Sequence, residues 1–243
     1  MPKIWIGTSG WHYSHWKGPF YPKNLPEKQF LRYYIEKFLT VELNRTFYSL
    51  PQRKVFEEYA KIVPRSFLFS IKASRYITHV KKLNNPKLAL RRFFKSVTGL
   101  KKHLGPILFQ LQPHWKCNPE RLEAFLKALP KGHRCTFEFR DPSWLNEEIY
   151  ELLRKYKAAL CLYEFEGVAT PQIITSNFVY VRLHGPKRSA YRGKYSMTAL
   201  KKWAAFFRKE LKKGHDVYCY FDNDEAGYAA VNAQELQQIL TEL

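Results

Sequence analysis

The chain is predicted to be an α/β protein, a single TIM-like (β/α)8 barrel, on three observations. Eight short β-branched and aromatic stretches alternate with longer segments of helical periodicity, the pattern of parallel strands joined by crossovers. The strands place apolar residues at one parity and polar residues at the other. Polarity rises toward their C-terminal ends, as it does when one side packs on helices and the other on an interior open at one rim. Finally, the 243 residues carry no dividing linker or low-complexity segment, so residues 1–243 read as one domain of about the size of this fold, roughly 250 residues. A doubly wound sheet is the rival arrangement; eight near-evenly spaced units favour closure.

The clearest strand is the seventh, Phe178-Val179-Tyr180-Val181-Arg182-Leu183-His184, closed by Gly185-Pro186. Val179, Val181 and Leu183 share one face; Tyr180, Arg182 and His184 share the other. In chain order, the first strand is predicted at 4–7, followed by Thr8-Ser9-Gly10-Trp11 and a helix over 26–38 with Pro26 in its first turn. The second strand, 40–47, sets Val41 and Leu43 against Glu42 and Asn44. The next helix starts at Pro51 and sets Val55, Phe56, Tyr59 and Ile62 on one face. The third strand, 67–73, opposes Phe67, Phe69 and Ile71 to Ser70 and Lys72. A basic loop, 74–86, then leads to a helix over 87–102.

The fourth strand, 106–112, turns Gln110 and Gln112 inward with Leu108, and a helix over 119–129 follows. The fifth strand, 135–140, sets Phe137 and Phe139 against Thr136, Glu138 and Arg140, and a helix runs on to 156. The sixth strand spans 158–165 with Glu164 facing in, and the weakest helix of the set is predicted at 166–177. After the seventh strand a loop carries Lys187, Arg188, Arg192 and Lys194. Ser196 caps a helix to Lys213, the eighth strand is 217–222, and a terminal helix ends near 240.

If this register holds, the strand ends gather Glu42, Asn44, Lys72, Gln110, Gln112, Glu138, Arg140, Arg182, His184 and Asp222, where barrel active sites are built. Arg182 and Arg140 offer forked donors to a phosphate or carboxylate, and Lys72 adds a point charge. Glu138, Glu42 and His184 are the candidate proton-transfer groups. Asn44, Gln110, Gln112 and Asn223 are candidate substrate contacts. Trp11 and Trp144 fit either stacking at the mouth or packing of a loop. A buried ion-pair network that merely fills the top of a barrel is the competing explanation for the same residues. His103, His133 and His215 read as exposed helix-end residues. Zinc is not expected, because His-rich spacing is absent, whereas Mg²⁺ held partly by substrate phosphates would need few protein ligands.

Charge is the outlier of the composition. Forty-one Lys plus Arg against twenty-one Asp plus Glu give +20, a field that attracts nucleic acid, anionic membranes or phosphorylated metabolites; a solvated helical face would produce the same count. No run of about 18 apolar residues exists, so no transmembrane helix is expected. The chain enters a strand at once and leaves no room for a signal peptide. With four scattered cysteines and no Cys-x-x-Cys pair, this points to a reducing, cytoplasmic setting.

Several motifs together resemble the domain of unknown function 72 family, also called YecE-like. They are Ile6-Gly7-Thr8-Ser9-Gly10-Trp11, Val41-Glu42-Leu43-Asn44-Arg45-Thr46-Phe47-Tyr48, Phe69-Ser70-Ile71-Lys72, Gln110-Leu111-Gln112-Pro113, Glu138-Phe139-Arg140-Asp141-Pro142-Ser143-Trp144, Val181-Arg182-Leu183-His184-Gly185 and Tyr220-Phe221-Asp222-Asn223. The resemblance covers nearly the whole chain and implies a TIM-barrel-like fold. It implies no activity. By analogy with the xylose-isomerase-like barrels, which include endonuclease IV, it suggests DNA processing, although the clustered ligands of a trinuclear zinc site are missing here. Against the family pattern, Asp222 stands where Asn is usual and Glu164 where Asp is common.

Three functions are therefore open at this level. One is an enzyme acting on a phosphate-bearing substrate, nucleic acid or a phosphorylated small molecule, of which a phosphoester hydrolase is the natural type. The second is a non-catalytic nucleic-acid-binding protein that uses its basic exterior. The third is a barrel that binds a small anionic metabolite. None requires a membrane, and the oligomeric state is open.

Overall fold

The computed structural model describes residues 1–242. Its strands are β1 (Ile4–Thr8), β2 (Thr40–Leu43), β3 (Leu68–Lys72), β4 (Leu104–Gln110), β5 (Cys135–Glu138), β6 (Ala159–Phe165), β7 (Val168–Ala169), β8 (Phe178–Leu183) and β9 (Asp216–Phe221). The α-helices are α1 (Phe30–Lys37), α2 (Arg45–Tyr48), α3 (Arg53–Ile62), α4 (Pro86–Val97), α5 (Pro119–Ala128), α6 (Glu147–Lys155), α7 (Met197–Lys212) and α8 (Tyr228–Thr241). The sheet runs β1-β9-β8-β6-β5-β4-β3-β2, with β7 hydrogen-bonded to β6 alone. The pairs β1/β9, β8/β9, β3/β4, β4/β5 and β5/β6 are parallel, and a parallel bridge joins Ser9, just after β1, to Glu42 of β2. Eight parallel strands with flanking helices make the fold a TIM-like (β/α)8 barrel, as the periodicity predicts.

Contacts divide the chain into two compact units. The first comprises residues 1–42, 162–172 and 178–243; the second comprises 43–161 and 173–177. In the first unit, β8 and β9 pair in register, Arg182 opposite Tyr220 and Leu183 opposite Phe221. Val179, Val181, Val217 and Cys219 are buried. Gly7 of β1 leaves no room for a side chain, since a Cβ there would collide with the Thr40 carbonyl. Ser196 caps α7 by accepting from the Ala199 N–H at 3.2 Å, as its position predicts. In the second unit, Phe109 and Phe137 stack across the β4/β5 pair at 5.3 Å, and Phe125 of α5 meets both rings edge-on.

Several expectations are corrected. Residues 45–47, predicted in the second strand, open helix α2 instead, and His133 and His215, predicted exposed, are half-buried. Residues 166–177 form no helix: Glu166 and Gly167 both take positive φ, 53° and 80°, and turn the chain from β6 into the antiparallel β7. A two-residue turn with both φ positive is the hairpin solution that matches strand twist. Val55 and Ile62 of α3 are exposed, while Phe56 is buried. His103 is buried rather than exposed, and its Nδ1 lies 2.9 Å from the Phe67 carbonyl. Trp144 does not line an opening: it is fully buried, stacks on Phe139 at 5.0 Å, and donates its Nε1–H to the Trp115 carbonyl at 2.6 Å.

Candidate functional site

In the first unit the strands β2 and β8, with the residues after β1, β8 and β9, deliver one ionic cluster. Arg182 is only 1% exposed. Its Nε donates to both Glu42 carboxylate oxygens at 3.1 Å. One terminal nitrogen donates to Glu42 Oε1 at 2.8 Å and to Asp222 Oδ2 at 3.0 Å, and the other donates to His184 Nε2 at 3.2 Å. A guanidinium only donates, so Nε2 accepts and the ring proton sits on Nδ1. From there it is given to Asp222 Oδ2 at 3.0 Å. Glu42, fully buried, also accepts from Ser9 Oγ and Tyr180 Oη, each at 2.7 Å. Burial and the adjacent Glu42 push the Tyr180 phenol far above its ordinary range, so it remains a donor.

Asp222 is the member of this cluster that reaches solvent, with 14% of its side chain exposed. Beside it lie Tyr13 and Asp224. Tyr13 donates to the Ser9 carbonyl at 2.7 Å; burial first, then Asp222, Asp224 and Glu42, hold its phenol protonated. Asp224 accepts from Trp16 Nε1, and burial raises its carboxyl despite that bond. Arg182 thus faces two carboxylates, those of Glu42 and Asp222. Donors arranged this densely fix the Glu42 carboxylate in one position.

The loop after β8 closes against this cluster. Gly185 has φ of 116°, and a Cβ there would collide with the Arg192 carbonyl, so only glycine lets the loop fold back. The rings of Phe165 and Tyr191 stand edge-on to His184 at 5.3 and 5.6 Å. Lys187, Arg188 and Arg192 of the loop are exposed, and Arg192 lies 3.9 Å from Glu225. Asn223 is buried and holds the loop from beneath, its Nδ2 donating to the Gly193 carbonyl at 2.9 Å and to Asn232 at 3.0 Å. Trp11 is half-buried, with its carbonyl accepting from Tyr21 at 2.6 Å.

The other predicted site residues fall in the second unit. Glu138, fully buried, is ion-paired with Arg140, and Cys161 Sγ lies 3.8 Å from its second oxygen. Gln110 sits opposite Glu138 in the β4/β5 register; Gln112 is half-buried. Asn44 precedes α2, and its Oδ1 accepts no protein hydrogen bond. Lys72 places its ammonium 4.5 Å above the Phe47 ring. Within the first unit, then, Glu42, Arg182, His184 and Asp222 are in mutual contact. Within the second, Glu138 and Arg140 are. Ser9, Tyr13, Tyr180 and Asp224 belong to the first cluster and were not singled out from the sequence as site residues, although Tyr180 shares the parity of Arg182 and His184. Among the described residues, no group of three or more His, Cys, Asp or Glu side chains is arranged to hold a metal ion.

Comparison with known proteins gives concordant matches. The family model described as "Protein of unknown function DUF72" matches residues 5–243. The UPF0759 protein YunF of Bacillus subtilis (strain 168) is 25% identical over 277 residues, covering 98% of this chain and 94% of its own. A DUF72 family protein from Thermotoga maritima MSB8, known from its crystal structure, is similar with a TM-score of 0.89 at 29% identity over 98% of this chain and 99% of that one. A DUF72 family protein from Enterococcus faecalis V583 is similar in fold, with a TM-score of 0.84 at 19% identity over 98% and 95% of the two chains.

Proposed function

The chain belongs to the DUF72 family, and we propose that it is an enzyme that hydrolyses a phosphate-bearing substrate at the Asp222–His184 pair of its first unit. The observation that carries this reading is the juxtaposition of two things. Asp222, the solvent-reaching carboxylate of a buried ionic cluster, is hydrogen-bonded to His184, and His184 is followed at once by a loop bearing the exposed cations Lys187, Arg188 and Arg192. Loops after the seventh and eighth strands of such barrels are where phosphates are often held.

In this reading Asp222 takes the proton of a water that attacks phosphorus. As the bond from that water to phosphorus forms, the bond to the leaving oxygen breaks, the leaving oxygen takes a proton from solvent, Asp222 later returns its proton to solvent, and the loop cations carry the charge that develops on the phosphoryl oxygens. His184 is a positioning residue: by donating Nδ1–H to Asp222 it fixes the carboxylate. Arg182 is a positioning residue too. Its guanidinium faces carboxylates, so the anion-holding role expected of it passes to the loop. Glu42, without solvent contact, anchors Arg182 rather than transferring a proton, and Glu138, paired with Arg140 in the second unit, is given no step.

The test is a panel of phosphomonoesters and phosphodiesters assayed with wild type, Asp222→Asn and the loop double variant Lys187→Gln/Arg188→Gln. Asp222→Asn is expected to lower kcat about 100-fold or more, and the loop variant to act mainly through KM. Turnover that is unchanged in Asp222→Asn, or absent across the panel, would contradict the assignment.

A further inference from the structure

We infer that the second unit carries a binding track for single-stranded nucleic acid, running from the exposed rings of α2 and the turn after β3 along helix α4. Residues 59–119 hold thirteen Lys and Arg and no Asp or Glu. The second unit as a whole has 24 Lys plus Arg against nine Asp plus Glu, so it bears most of the chain's positive charge. A solvated helical face is normally laced with opposite charges. Among the described residues, Arg75, Lys81, Lys82, Lys87, Arg91 and Lys95 pair with no carboxylate, unlike Lys61 and Lys116 near the ends of the stretch.

The cations are ordered. Lys87, Arg91 and Lys95 recur every four residues on α4 and so stand on one face about 6 Å apart. They line a groove of about 750 Å³, with Lys127 of α5 across it and Leu90, Phe94 and Pro130 as its apolar lining. Lys127 is paired with Glu123 at 3.1 Å, which leaves the α4 row as the free charge.

Upstream of α4 the same segment presents rings. Tyr48 is 74% exposed and Tyr76 is 47% exposed. Tyr48 packs on Phe47 at 5.1 Å, and Phe47 packs on His79 at 4.9 Å, so α2 and the turn of Tyr76–Val80 form one surface. Lys72 lies over Phe47 and Lys81 over Tyr76. Between this surface and α4, Lys82, Leu83 and Asn85 all take left-handed φ, at 45°, 63° and 45°. Lysine and leucine adopt that conformation only against a steric cost that asparagine largely escapes. The connection is nonetheless pinned, with Leu83 buried and its N–H bonded to the Ile77 carbonyl at 3.0 Å. Strain retained in this way marks a segment selected for shape.

Exposed rings beside unpaired cations fit bases stacking while phosphates follow the cations. An acidic peptide or an anionic lipid surface would use the charge and leave the rings idle, and in a duplex the base faces are already stacked. The inference deepens the proposed phosphate-bearing substrate by naming its class, and rests on that reading only for the polymer's being a substrate; binding stands or falls separately.

The experiment is fluorescence anisotropy of a labelled oligothymidylate with the full chain across a salt series. The variants are Arg91→Gln/Lys95→Gln on α4, Tyr48→Ala/Tyr76→Ala on the rings, and Lys201→Gln/Lys202→Gln on α7 as a charge-matched control. The α4 variant is expected to weaken binding at least tenfold and to flatten the slope of log K against log salt by about 1.4, roughly 0.7 per lost phosphate contact. The ring variant is expected to weaken binding about fivefold or more with the slope unchanged, the control to change little, and Asp222→Asn to bind as wild type whether or not it turns substrate over. No binding, equal weakening by the α7 control, equal affinity for a duplex, or displacement by polyglutamate or anionic vesicles as effective as by unlabelled oligothymidylate would each overturn the assignment.

Discussion

Arg182 is the residue on which the first unit's polar interior depends. It contacts Glu42, Asp222 and His184 at once while almost wholly withdrawn from water. Replacing it by Met leaves Glu42 buried without a counter-charge, and loss of one partner from such a pair costs about 3–5 kcal/mol. Arg182→Met is therefore expected to lower unfolding free energy by that amount in urea denaturation, and Arg182→Met/Glu42→Gln to be less destabilised than the sum of the two single changes. Additive effects would mean that the two side chains do not act as a pair. At this scale the sequence was informative about parity: Glu42, Arg182, His184 and Asp222 stand opposite the large apolar residues of their strands, and alternation is enough to bring them to one side. It was uninformative about partners. That Arg182 faces two carboxylates instead of an open anion site depends on which strand ends adjoin, and that is fixed by long-range pairing that no local pattern encodes.

Among the elements, the loop after β8 is the most constrained. Gly185→Ala places a methyl against the Arg192 carbonyl, so the loop must shift. The variant is expected to raise KM for the phosphate substrate and to cost about 1–3 kcal/mol of stability; unaltered KM and thermal midpoint would show that the loop has another way to close. The turn after β3 offers a pH test. Burial first, then Lys72 and Arg75, lower the His79 imidazole to about 4. The unfolded chain, with an ordinary His near 6.5, binds that proton more readily, so the contribution of neutral His79 to stability is present above about 6.5 and is lost as pH falls toward about 4. An NMR titration is expected to show the His79 ring protonating near the lower value, and His79→Gln to be less sensitive to pH across this window. The hairpin at 166–169 shows where local reading fell short. Glu166-Gly167 between Phe165 and Val168 is a legible turn signal, outweighed in the prediction by the expectation of a helix between two parallel strands. The rest of that crossover forms neither helix nor strand, and in it Thr175 accepts from the Leu160 N–H and donates to the Ala158 carbonyl, both at 2.8 Å.

For the whole molecule, fold class was the most legible property, because eight alternating segments leave few topologies open. Net charge was legible as a total but not as a distribution: the +20 says nothing of a solvated face until ion pairs are assigned, and while pairs such as Arg53–Glu57 lie within one helix, others such as Lys116–Asp141 and Lys194–Glu235 join elements distant in sequence. The two proposed chemistries, a phosphoester-directed Asp222–His184 pair in the first unit and a nucleic-acid track in the second, are separable by experiment. The most direct measurement is cleavage of a labelled single-stranded oligonucleotide, followed on a denaturing gel, by wild type and by Asp222→Asn at protein concentrations where both are saturated. Product from wild type, with a rate lower by about 100-fold or more in Asp222→Asn at equal occupancy, is the predicted result. Equal cleavage by the two proteins, or none by wild type on this or any other phosphoester, would contradict the claim that Asp222 transfers the proton.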